Sequence, residues 1–100
     1  MTASSKSALL GRLARFGCIA CYLDDRAGTP AEIHHLRDGQ GISQRASDGE
    51  AIPLCPPHHR GTNHPKTPSI HRDRLAFIDR YGTERELLAL VQRKLRSPFL

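Results

Sequence analysis

The sequence predicts an α+β fold: a small core of two short strands and a helix, fastened by metal, with helices flanking it. Three observations lead there. The middle of the chain carries two short apolar runs, AEIHHL at 31–36 and AIPLC at 51–55, each bounded by turn-forming residues. The last third carries two helical patterns, over 70–81 and from Glu84 onward. All three cysteines fall in pairs at metal-ligand spacing, Cys18 with Cys21 and Cys55 with His58. One hundred residues make a single domain. Its parts are an N-terminal tail and helix (1–17), a metal-bound core (18–66) and a helical C-terminal part (67–100).

Residues 1–5 read as a frayed tail, and Ser4 or Ser5 can cap a helix opening near Lys6. Leu9, Leu13 and Phe16 share one face of that helix, and Gly17 can end it. CIAC follows at 18–21, then a polar turn from Asp24 to Pro30. Ala31–Leu36 reads as the first strand, Asp38–Gly49 as a glycine-rich loop, and Ala51–Cys55 as the second strand. Pro56 and Pro57 suit a helix start, where a missing N–H costs nothing. Gly61 and Pro65 hold that helix to about two turns. In the helix over 70–81, Leu75, Ile78 and Tyr81 form one stripe and Gly82 is a natural stop. Thr83-Glu84-Arg85-Glu86 has capping-box spacing and opens a helix with Leu87, Leu88, Val91 and Leu95 apolar.

Fifteen Lys and Arg against ten Asp and Glu give a net charge of +5. Such a surface suits a polyanion, most naturally nucleic acid, though a plain solvated surface has the same composition. No stretch is apolar enough to span a membrane and no secretory h-region is present, so a cytoplasmic protein is expected. In that reducing setting thiols stay free to ligate, and three cysteines leave no complete disulfide framework. From Arg37 to Glu50 the only apolar side chains are Ile42 and Ala46, so this stretch cannot close a core alone. A structural metal supplies what it lacks.

Cys18, Cys21, Cys55 and His58 make a Cys3His set for one tetrahedral zinc. The bland alternative is three buried cysteines acting as small apolar residues. His34, His35 and His59 are then left over. Neighbouring residues on a helix point about 100° apart, so His58 and His59 are not expected to serve one ion. His34 and His59 are expected to form a second, open metal site with His35 beside it. Asn63 lies four residues after His59 and either joins that metal shell or serves as a turn residue. A divalent ion on a scissile phosphate with a neutral imidazole nearby suits phosphodiester cleavage.

CIAC, PAEIHHL, AIPLCPPHHRG and IHRDRLAFIDRYGTERELL together resemble the HNH nucleases, the ββα-metal or His-Me finger class, and within it the phage recombination-enhancement nucleases of the Ref type. The resemblance runs over about residues 9–95. It implies a metal-dependent DNA endonuclease whose cutting depends on RecA filaments. It implies His35 as general base, His34 and His59 as ligands of a catalytic Mg2+ or Mn2+, and Cys18, Cys21 and Cys55 with a nearby histidine as structural zinc ligands. Spacing favours His58 as that histidine; His64 is the alternative. His71 also matches a family position, as a further ligand, a phosphate contact or a surface residue at a helix start. Asp48 stands where the family's middle asparagine belongs, and about 17 residues precede Cys18 where Ref-type proteins carry a longer basic arm. DNA is the expected partner, with no small-molecule cofactor and no membrane. Arg60, Arg37, Arg45 and Lys66 lie nearest the site in sequence and are the candidate phosphate contacts. Two rivals remain: a zinc-folded module that binds nucleic acid without cutting, and a two-zinc structural protein that assembles through its C-terminal helices.

Overall fold

The computed structural model describes residues 2–37, 49–61 and 67–96, with side chains from residue 8 onward. The elements in chain order are α1 (Thr2–Phe16), α2 (Ile19–Leu23), β1 (Glu32–His35), β2 (Ala51–Leu54), α3 (Pro56–Arg60), α4 (Arg74–Tyr81) and α5 (Glu84–Arg96). The class is α+β, with a two-stranded sheet and helices among the described residues. Asp48, Asn63, His64, Lys66 and Arg45 lie outside the described residues.

Helix α1 starts earlier than the Ser4/Ser5 cap suggested and ends where expected. Gly17 takes φ +87°, and a Cβ there would meet the Thr29 carbonyl oxygen at 2.9 Å. Only glycine lets the chain turn so closely. Helix α2 was not foreseen. The Cys18 sulfur accepts a hydrogen bond from the Cys21 N–H at 3.4 Å, so the ligand spacing itself winds the first turn.

Strands β1 and β2 are antiparallel, pairing Glu32 with Leu54, Ile33 with Pro53, His34 with Ile52 and His35 with Ala51. Both are edge strands, which is where a proline such as Pro53 is accepted. The two-residue period puts Glu32 and His34 on one face of β1, and Ile33 and His35 on the other. Cys55 is the N-cap of α3 and prolines fill its first positions. The helix is shorter than two turns. Gly61, at φ +79°, donates its N–H to the carbonyls of Pro56 and Pro57 and closes the helix after five residues.

The expected stripe on the fourth helix holds at Tyr81, which packs against the core, but fails at Leu75 and misses Phe77. Leu75 is 83% exposed, whereas Phe77 is fully buried. The helix starts at Arg74 rather than residue 70, because residues 69–73 form a turn. Asp73 accepts from the Ser69 N–H at 3.2 Å and donates its own N–H to the Ser69 carbonyl at 2.8 Å. Phe77 and Tyr81, four apart, then face inward with ring centroids 5.0 Å apart. Phe77→Ala should cost about 3–5 kcal/mol, read as a lowered urea midpoint with an unchanged slope.

The capping box of α5 is formed reciprocally. Thr83 donates its N–H to Glu86 Oε1 at 2.8 Å, and Glu86 donates its N–H to Thr83 Oγ1 at 3.1 Å. Leu87, Leu88 and Val91 are buried in a cluster with Leu13, Ile19, Leu36, Ile52, Leu54 and Phe77. Helix α1 packs on both strands and α5 on β2, so the hairpin that carries the histidines is backed by helices from both ends of the chain.

Candidate metal centres

Two clusters of metal-ligating side chains occur among the described residues: Cys18, Cys21, Cys55 and His58, all buried, and His34, His59 and His71, graded from buried to exposed.

In the first cluster His58 Nδ1 stands 3.6 Å from the Cys18 sulfur, 3.6 Å from that of Cys21 and 3.2 Å from that of Cys55. The sulfurs of Cys21 and Cys55 are 3.8 Å apart. A tetrahedral zinc, with bonds of about 2.3 Å to sulfur and about 2.05 Å to nitrogen, requires edges of about 3.8 Å and about 3.6 Å. The set therefore fits zinc. Burial pushes the Cys18 and Cys55 thiols up, so holding them as thiolates needs a compensating cation.

A polar chain fixes the tautomer of His58. Tyr81 donates its hydroxyl to Asp24 Oδ2 at 2.7 Å, so its oxygen can only accept from His58 Nε2, 2.8 Å away. The His58 proton thus sits on Nε2, and the Nδ1 lone pair faces the sulfurs. Burial, helped by the neighbouring Asp24 carboxylate, pushes the Tyr81 phenol up to about 12 and keeps it a donor. Arg80 holds the end of the chain, donating to the Tyr81 oxygen at 3.0 Å and to Asp24 Oδ1 at 3.1 Å.

In the second cluster His34 Nδ1 lies 3.2 Å from His59 Nε2, which lies 3.1 Å from His71 Nε2. The far nitrogens of two rings are held by carboxylates. His34 donates from Nε2 to Glu84 Oε2 at 2.6 Å, and His59 donates from Nδ1 to Glu32 Oε1 at 2.8 Å. Their protons are committed outward, so two lone pairs converge across 3.2 Å with the His71 nitrogen beside them. Facing lone pairs repel unless a cation sits between them. Ligands at right angles about 2.1 Å from a divalent ion stand about 3.0 Å apart, close to the separations found. The arrangement fits a metal ion.

Burial lowers the pKa of both His59 and His71, and neighbouring imidazoles lower them further, so both rings are neutral and able to ligate at pH 7. The hydrogen bond from His59 holds the Glu32 carboxyl below its usual range, with help from Arg60. Adjacent residues of α3 thus face different clusters: His58 the sulfurs, His59 the imidazoles. His71, just ahead of α4, joins His34 and His59. His35, the last residue of β1, is outside the converging set and follows His34 on the opposite face.

Of the basic candidates, Arg37 is exposed at the exit of β1, and its N–H donates to Glu84. Arg60 grips Glu32 with its guanidinium, through Nε at 3.1 Å and through Nη2. Arg74, not singled out from sequence, brings Nη2 within 3.6 Å of Glu84 Oε1. Glu32 shares a strand face with His34, a spacing that could have flagged it. Glu84 and Tyr81 had no such local signal.

These features describe a small α+β domain with a closed sulfur-rich cluster and a more open imidazole cluster, each able to hold a metal ion. A family described as recombination enhancement, RecA-dependent nuclease matches residues 1–96, and the chain belongs to that family. Uncharacterized protein YdfU of Escherichia coli (strain K12) is 39% identical over 64 residues, a match covering 61% of this chain and 16% of YdfU. No helix among the described residues is long and apolar enough to cross a membrane.

Proposed function

We propose that this chain is a metal-dependent DNA endonuclease of the HNH, ββα-metal class that hydrolyses phosphodiester bonds during recombination, on DNA paired by RecA filaments in the cytoplasm. The observation that carries this is the convergence of His34 Nδ1 and His59 Nε2, with His71 beside them, at an open edge of the β1–β2–α3 unit. The family description, a recombination-enhancing, RecA-dependent nuclease, supports the nuclease part of this reading. Cys18, Cys21, Cys55 and His58 hold structural zinc; His34, His59 and His71 hold a catalytic Mg2+ or Mn2+, with Asn63 a further candidate ligand.

When bound, the catalytic ion neutralises charge building on the scissile phosphate and the leaving oxygen. His35, next to the ligand His34 but outside the converging set, takes the proton of the attacking water on a ring nitrogen. Glu32 and Glu84 accept from the outer nitrogens of His59 and His34 and so keep the inner nitrogens of both rings turned toward each other. Arg37, Arg60 and Arg74 surround the open edge with positive charge, and with Arg45 and Lys66 they are the proposed phosphate contacts, so binding weakens with salt.

The test is His35→Ala on duplex, single-stranded and RecA-paired DNA with Mg2+ or Mn2+. Wild-type protein should nick at least one DNA form. His35→Ala should stay folded, bind that DNA and lose roughly 10²–10⁴-fold in rate, the usual worth of a general base. A wild type that binds but cuts none of these forms supports a binding module. Two tightly held zincs, the second on His34 and His59, support the structural reading.

A further inference from the structure

We infer that Glu84 is a positioning residue for the imidazole centre, an inference that rests on the metal reading just given. Glu84 is the first residue of α5, 50 positions from His34, and its side chain is fully buried. Burying a carboxylate is costly unless it is paired and hydrogen-bonded, and although a helix start favours an acidic residue, it does not require that residue to be buried. The capping box of α5 is completed by Thr83 and Glu86.

The Glu84 oxygens are spent on the imidazole centre and its surroundings. Oε2 accepts from His34 Nε2 at 2.6 Å. The Arg37 N–H donates to both oxygens, at 3.1 and 3.2 Å. Arg74 Nη2 stands 3.6 Å from Oε1 and balances the charge. One carboxylate therefore does two things. It draws the His34 proton to Nε2, leaving Nδ1 bare toward His59 and His71. It also pins the chain two residues beyond His35, holding the end of β1 that carries both histidines.

An amide at this place fails on chemistry rather than size. In Glu84→Gln the carbonyl oxygen can take the place of Oε2 and serve His34, but the amide NH2 then stands where Oε1 stood, facing the Arg37 N–H and the Arg74 guanidinium, which are both donors. If the NH2 turns to His34, the ring must protonate Nδ1 and lose its ligating lone pair. The charge that strengthens the imidazole as a donor to metal is lost in either case.

The experiment measures Mn2+ binding by electron paramagnetic resonance on the full chain, alongside zinc content and thermal melting. Glu84→Gln should bind Mn2+ about 10–100-fold more weakly while keeping one zinc and a cooperative melt. Glu84→Asp, which keeps the charge, should lie between it and wild type. Nitrogen NMR of wild-type protein without Mn2+ should show His34 protonated on Nε2 and bare on Nδ1, a readout that needs no variant to fold. Unchanged Mn2+ affinity in a folded Glu84→Gln, or a His34 ring protonated on Nδ1 in wild type, overturns the role of Glu84 alone. Wild-type protein that binds no Mn2+ overturns the metal reading and this inference together.

Discussion

Cys55→Ser is expected to leave no folded domain. Cys55 follows β2, stands at the N-cap of α3 and puts its sulfur 3.2 Å from His58 Nδ1, so one residue ties the strand, the helix and the proposed zinc set together. Structural zinc contributes about 10–16 kcal/mol of folding free energy in small zinc-dependent domains. A domain's whole stability is about 5–15 kcal/mol, so losing the ion removes more than the remaining contacts supply. A serine in its place also leaves the Cys18 and Cys21 thiols and the His58 ring packed without the cation that makes them compatible. Cys18→Ser can still cap α2 through its hydroxyl but loses the same thiolate ligand, and should behave alike. Circular dichroism during heating checks this: both variants should lack a cooperative transition, as should wild type stripped by a strong chelator. A melt within a few degrees of wild type would show that the cysteines only fill space.

His59→Ala should do the opposite, leaving the fold and removing the activity. His59 supplies the middle nitrogen of the imidazole set, within 3.2 Å of His34 and 3.1 Å of His71. Without it the two remaining rings cannot grip an ion from adjoining positions. A divalent ion gives several kcal/mol of transition-state stabilisation, so nicking should fall by roughly 10³-fold. The structural cost is small for a specific reason. His59 is partly exposed, and its partner Glu32 keeps a bidentate Arg60, so no buried charge is orphaned. The melting transition should therefore shift by no more than about 1 kcal/mol in stability. Mn2+ titration and nicking assays on the folded variant check the prediction; full activity with Mn2+ would remove His59 from the site.

What could be read in advance follows the range of the interactions. The Cys18–Cys21 and Cys55–His58 spacings are local, and backbone geometry alone brings each pair to one point. The period-two face of β1 and the 100° step between His58 and His59 are local too, which is why the histidine pairs could be separated on paper. The capping box at Thr83 and Glu86 was legible because both partners lie within one turn. The misses are of the other kind. Phe77 was passed over for Leu75 because helix phase depends on where α4 starts, and the Ser69–Asp73 turn delays that start by four residues. Helix α2 was unforeseen because five residues carry too short a period. Glu84 and Tyr81 meet His34 and His58 across 50 and 23 residues, distances over which only the folded chain decides. His71 was noticed through resemblance alone; its place beside His59 comes from the turn ahead of α4, where its N–H donates to the His59 carbonyl at 3.3 Å.

Counting metals tests the account most directly. The chain should be purified without added metal, assayed for zinc, and titrated with Mn2+ as wild type, His59→Ala and Cys55→Ser. The account predicts one firmly held zinc in wild type and in His59→Ala, a weaker Mn2+ site in wild type only, and neither a fold nor a metal in Cys55→Ser. Two equally firm zincs in wild type, or a Mn2+ site that survives His59→Ala, would contradict it.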